Sequence, residues 1–170
     1  EYGDFVRQVD WHMGQIMEAL ERSEVAENTL FIFTADNGCS PRAQFEELDE
    51  VGHKPGGIYR GNKADIYEAG HRVPFIAHWP NGIKAGKESN ATICLTDLLA
   101  TMADILDADY PNNAGEDSVS FLPAMKGQGE EVREATIHHS INGSFAIRKG
   151  DWKLVLCPGS GGWSAPRPAE

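Results

Sequence analysis

The sequence predicts an α/β fold followed by a small antiparallel β unit, and three observations carry that prediction. Apolar runs too short for helices alternate with segments of helical periodicity. A long polar connection rich in Gly and Pro separates the first two apolar runs. Beyond residue 134 the pattern changes to three short runs joined by Asn142-Gly143 and Gly150-Asp151, both hairpin signals.

In chain order, the first element is an amphipathic helix over residues 2–22. Phe5, Val6, Val9, Met13, Ile16, Met17 and Leu20 recur at helical spacing with charges on the opposite side. Asn28 then precedes Leu30-Phe31-Ile32-Phe33, apolar on both faces as in a buried parallel strand. From Asp36 to about Asn62 polar and turn residues dominate, with one helical turn expected at Ala43–Leu48; loops of this length usually carry function. A second strand is predicted at Val73–Trp79 with His78 packed inside it, and Pro80-Asn81-Gly82 forces the turn that ends it. Thr96-Asp97 can cap a helix carrying Leu98, Leu99, Met102, Ile105 and Leu106. A helical turn near Phe121–Met125 follows, then strands at Thr136–Ser140, Ser144–Arg148 and Trp152–Leu156. Residues 158–170 read as Gly, Ser and Pro punctuation. The expected division is residues 1–134 for the α/β part and 135–170 for the start of the antiparallel subdomain.

Composition narrows the function classes. At 41% hydrophobic and 24% charged residues the chain can bury a core, which excludes disordered and low-complexity classes. No run approaches the roughly 18–20 apolar residues of a membrane span, so no membrane partner is expected. With 26 acidic and 15 basic side chains the net charge is −11, which argues against nucleic acid as a partner and requires a local cation for any anionic ligand. Cys39, Cys94 and Cys157 lack C-x-x-C spacing, so zinc is not indicated and one disulfide stays open. The missing initiator Met and the end at Arg167-Pro168-Ala169-Glu170 lead us to expect an excised fragment.

Two motifs carry the chemistry. Thr34-Ala35-Asp36-Asn37-Gly38 falls where the first strand ends, the place where open α/β sheets bind ligands. A carboxylate beside an amide offers hard oxygens of the kind Ca²⁺ or Mg²⁺ prefers, and Gly38 lets the backbone turn sharply; an Asx turn is the competing reading. The second motif is Gly61-Asn62-Lys63 followed by Tyr67-Glu68-Ala69-Gly70-His71-Arg72-Val73-Pro74. Lys63 supplies a compact cation for a tetrahedral oxyanion, against the alternative of a solvated surface lysine. Glu68 and Arg72 stand four apart and are expected to brace one another. His53, amid Gly52, Lys54, Pro55 and Gly56, can reach solvent or substrate.

The order of these pieces, continued by Trp79-Pro80, Thr96-Asp97-Leu98-Leu99, Ala146-Ile147-Arg148 and Asp151-Trp152-Lys153-Leu154, closely resembles the C-terminal half of type I sulfatases, the arylsulfatase family. The resemblance covers nearly the whole chain. It implies part of an alkaline-phosphatase-like sheet and a parent enzyme that hydrolyses sulfate esters, a sulfuric ester hydrolase. It also implies calcium ligands at Asp36 and Asn37, a catalytic, sulfate-contacting lysine at Lys63 and, more loosely, a substrate contact at His53. The implied partner is a sulfated small molecule or saccharide, and the implied setting is periplasmic, extracellular or lysosomal.

The family's formylglycine, made from cysteine in C-x-P-S-R, has no counterpart here: Cys39-Ser40-Pro41-Arg42-Ala43 has Arg42 directly after Pro41 and alanine where the motif wants arginine. The expectation is therefore half an active site, a fragment inactive by itself, and calcium bound weakly or not at all by this chain. A phosphodiesterase or phosphatase of the same superfamily, with two metals and several Asp and His ligands, is the first alternative. A noncatalytic domain derived from a sulfatase is the second.

Overall fold

The computed structural model describes residues 1–167 and divides into two compact units, Glu1–Phe33 with Phe75–Glu88, and Thr34–Pro74 with the segment from Ser89 onward. In the first unit, helix α1 (Tyr2–Arg22) has the extent its periodicity predicts. Asp4 lies in its first turn and Arg22 in its last, each favourable to the helix dipole. The chain leaves the helix through Glu24, which adopts left-handed backbone at φ 58°. None of its residues is buried, and Phe5 and Trp11 are 68% and 60% exposed. The unit offers only two four-residue strands and a turn, too little surface to cover a helix of six turns.

Those strands are β1 (Phe31–Thr34) and β2 (Phe75–His78), neighbours in a two-stranded sheet. The expected full burial of β1 is corrected to half-burial at all four positions, because a two-stranded sheet cannot enclose a strand on both faces. In β2 burial alternates, which leaves His78 exposed and overturns its expected packing. The turn after β2 is closed by Gly82 and Ile83 donating to the Trp79 carbonyl at 3.0 and 2.9 Å.

In the second unit the long connection between β1 and β2 contains a 3₁₀ turn at Pro41–Ala43, then helix α2 (Phe45–Glu50), with Gln44 in left-handed backbone between them. A further turn, α3 (Glu68–His71), precedes β2. Helix α4 (Leu98–Leu106) and helix α5 (Leu122–Met125) pack around Phe121, which is 1% exposed; burying such a ring contributes roughly 2–3 kcal/mol. The Thr96-Asp97 signal marks the start of α4, but the Asp97 carboxylate does not cap that helix. It is fully buried and accepts from the Cys94 and Val119 backbone N–H groups at 2.7 and 3.0 Å and from Arg133. This places one buried ion pair between the start of α4 and Arg133.

Strands β3 (Thr136–His139), β4 (Phe145–Lys149) and β5 (Trp152–Val155) form the predicted antiparallel meander, with Thr136 opposite Arg148 and Lys149 opposite Trp152. Gly143 and Gly150 supply the positive φ values, 82° and 55°, that the two hairpin turns require. One face carries Ala146, which is buried, together with His138, Arg148 and Lys153; Ile137, Phe145 and Trp152 lie exposed on the other. Among the described residues no disulfide joins the three cysteines.

Candidate functional site

The segment Asp36–Asn37 leaves the end of β1 in a bend that is then pinned at two places. The Gly38 N–H donates to Gly70 O at 3.0 Å, and the Cys39 carbonyl accepts from the Lys63 N–H at 2.9 Å. Thr34 Oγ1 donates to Pro74 O at 2.8 Å and closes the base of the loop. Gly38 therefore answers a different need from the sharp turn the sequence suggests. Its φ is not in the left-handed region, but a Cβ there would fall 1.6 Å from the Ala69 carbonyl oxygen, so only glycine permits this approach.

The opposing loop is as tightly specified. Gly61 and Ala64 have φ values of 89° and 81°, and the Asp65 carboxylate reaches back across Lys63 to accept from the Asn62 N–H at 2.8 Å. Left-handed backbone at a residue with a Cβ is strained by about 1–3 kcal/mol and persists only where its surroundings over-determine it. Lys63 itself is half-buried.

Asp36 is exposed and Asn37 half-buried, and neither side chain takes a hydrogen bond or ion pair from the described residues. Their oxygens are uncommitted and chemically suited to a hard cation. Among the described residues there is no cluster of three His, Cys, Asp or Glu side chains able to hold a metal.

His53 lines a cavity of about 360 Å³, together with Asp49, Tyr59, Cys39 and Asn62. Cys39 and Asn62 are chain neighbours of the Asp36-Asn37-Gly38 bend and of Lys63, so the cavity opens beside the same junction. Asn62 Oδ1 is buried with no hydrogen-bond partner among the described residues. Sequence reasoning gave Asn62 no role of its own; the signal available was its position between an obligatory glycine and Lys63.

Glu68 braces the junction from behind. The expected pair with Arg72 is present at 3.7 Å, and the meander adds Arg148 at 3.4 Å and Lys153 at 3.0 Å. Burial alone would raise the Glu68 carboxyl, but the Lys153 hydrogen bond and the three surrounding cations carry it below its usual range. Burial also lowers the Lys153 ammonium, with Glu68 opposing. The Arg72 guanidinium lies 4.6 Å over the Tyr59 ring and that of Arg60 lies 4.1 Å over Tyr67. Beside them, His71 and His138 stand with ring centroids 4.2 Å apart. Burial, reinforced by the Lys153 charge, lowers both imidazoles, His138 to about 4, so they are neutral near pH 7.

A family profile described as Sulfatase matches residues 1–108. An N-acetylgalactosamine-6-O-sulfatase of Bacteroides thetaiotaomicron is 39% identical over 158 residues, covering 90% of this chain and 30% of that protein. The human steryl-sulfatase is 34% identical over 144 residues, covering 83% of this chain and 24% of that protein. Among solved structures, a sulfatase from a glycosaminoglycan locus of Bacteroides thetaiotaomicron superposes with a TM-score of 0.82 at 39% identity, over 90% of this chain and 32% of that one. Another, solved in complex with its substrate D-glucosamine-2-N,6-O-disulfate, superposes with a TM-score of 0.69 at 27% identity, over 88% and 29%. The chain thus spans less than a third of the length of these relatives.

Proposed function

The chain belongs to the sulfatase family, and from that premise we propose that it forms the later part of a catalytic unit that hydrolyses sulfate esters of saccharides. The observation that carries this reading is the 2.9 Å bond from the Lys63 N–H to the Cys39 carbonyl. It ties the lysine loop to the segment that immediately follows Asp36 and Asn37, two motifs far apart in sequence. In this reading residues 1–134 belong to the catalytic domain and residues 135–170 begin a small antiparallel subdomain.

Asp36 and Asn37 would hold calcium through their side-chain oxygens, and the ion, when bound, draws charge from the sulfate oxygens. A formylglycine from outside this chain would supply the nucleophile. Lys63 presents its ammonium to a sulfate oxygen and stabilises the charge that grows there as the S–O bond breaks. It also supplies the local cation that a chain of net charge −11 needs in order to hold an anion. His53, on the wall of the cavity, donates to the sugar or to its anionic substituent. The saccharide assignment draws support from relatives: one is named for N-acetylgalactosamine 6-sulfate chemistry, one is bound to a glucosamine disulfate, and one is in complex with a neocarrahexaose. An exported setting, periplasmic, extracellular or lysosomal, is part of the same proposal.

The metal assignment is tested by elemental analysis of the full-length protein after dialysis against a chelator and titration with calcium. The expected result is one calcium per molecule, lost in Asp36→Ala and Asn37→Ala. Unchanged calcium in the double variant would contradict it.

A further inference from the structure

We propose that Asp65 is a positioning residue for Lys63 and that the strap Ser160–Ser164 is part of the same device. The proposal rests on the reading of Lys63 given above. Asp65 is fully buried, and its carboxylate is held from two sides. Oδ2 accepts from the Asn62 N–H at 2.8 Å and from the Ser164 hydroxyl at 2.5 Å, and Oδ1 accepts from the Trp163 and Ser164 N–H groups at 2.8 and 3.0 Å. Lys63 lies within the short turn that this carboxylate closes.

Further contacts fix the same turn. The Ile66 N–H donates to Ser160 O at 2.8 Å, and the Ile141 N–H donates to Ala64 O at 3.0 Å. The strap can come this close because residue 162 is glycine: a Cβ there would fall 2.5 Å from Ala64 O and 2.6 Å from Asp65 Oδ1. Ala64, directly after Lys63, is one of few residues with a Cβ held at positive φ. Closing the turn across Lys63 needs only the Asn62 bond. The three additional donors from the strap hold the strained peptide in place, and with it the direction in which Lys63 leaves the backbone. On the other side the Lys63 N–H is anchored to Cys39, beside the Asp36-Asn37 pair. Lys63 is thus fixed on one side by the segment following the metal ligands and on the other by the strap. Loosening Asp65 lets the turn relax toward negative φ and moves the ammonium away from its target.

The test uses the full-length protein that contains this chain, a sulfated N-acetylhexosamine as the probe, and the variants Lys63→Ala, Asp65→Asn and Ser164→Ala, assayed well below the unfolding temperature of each. Misplacing a charge-stabilising group by about 1 Å costs on the order of 100-fold in rate. Asp65→Asn is expected to lower kcat about 10- to 100-fold with KM within about threefold, and Ser164→Ala to lower kcat about 3- to 10-fold. Ser164→Ala decides the matter if Asp65→Asn does not fold. If Lys63→Ala loses activity while the strap variants lower Tm but leave kcat within twofold, the positioning role is overturned and the reading of Lys63 stands. If Lys63→Ala retains full kcat, or the parent protein does not turn the probe over, the reading of Lys63 falls and the proposal falls with it.

Discussion

Replacing Gly38 by alanine tests the junction between the two motif-bearing loops. A Cβ at this position would lie 1.6 Å from the Ala69 carbonyl oxygen, whereas ordinary contact begins near 3.4 Å. The two backbones must therefore part by about 1.8 Å, a distance too large for small bond-angle adjustments. That separation breaks the 3.0 Å bond from Gly38 to Gly70 and strains its neighbour from Lys63 to Cys39. With about 1 kcal/mol for each backbone bond and about 1–3 kcal/mol for overpacking, Gly38→Ala should cost roughly 3–5 kcal/mol. The assay is the urea midpoint of the full-length protein, read with its rate of sulfate release. Gly14→Ala is the control, because a Cβ there meets nothing within 4 Å and a helical Gly to Ala change should stabilise by about 0.5–1 kcal/mol. A Gly38→Ala protein as stable and as active as the parent would refute the described approach of the two loops.

Other outcomes follow from the polar groups of the second unit. Glu68→Gln leaves Lys153 and Arg148, 14% and 25% exposed, without their carboxylate, and should cost about 2–4 kcal/mol by urea denaturation; a loss below 0.5 kcal/mol would contradict the bracing role. Asp97→Asn uncouples the buried Arg133 and should cost about 3 kcal/mol, whereas Asp4→Asn in the exposed first turn of α1 should change stability by less than about 0.5 kcal/mol. His138 binds a proton below about 6.5 when unfolded but only below about 4 when folded, so the unfolded chain holds more protons between those values. Stability should therefore fall as pH drops from 6.5 toward 4, by about 1–2 kcal/mol once solvent screening of this half-buried ring is allowed for, and His138→Gln should flatten the profile. A urea midpoint constant across that range would contradict it.

Local patterns made the elements legible. The stripe from Phe5 to Leu20 gave α1 its extent, and Asn142-Gly143 with Gly150-Asp151 gave the meander its turns. The motifs around Asp36 and Lys63 were visible because their residue types carry recognisable chemistry. What sequence could not convey was how distant segments meet. Asp65 is bound by donors at residues 163 and 164, and Asp97 by Val119 and Arg133, pairings for which no local periodicity exists. A glycine at residue 38 suggests a turn because glycine supplies rare φ values, yet it is needed for lack of a Cβ beside Ala69. His78 sits in an apolar run, which favours packing, but burial alternates along β2 and turns it outward.

Sulfate release from a sulfated N-acetylhexosamine by the full-length protein, compared with its Lys63→Ala variant, decides whether Lys63 stabilises the sulfate charge. Turnover should depend on calcium and fall about 100- to 1,000-fold when the lysine is removed. Turnover of phosphate esters in place of sulfate esters, or sulfate release that is indifferent to Lys63, would contradict it.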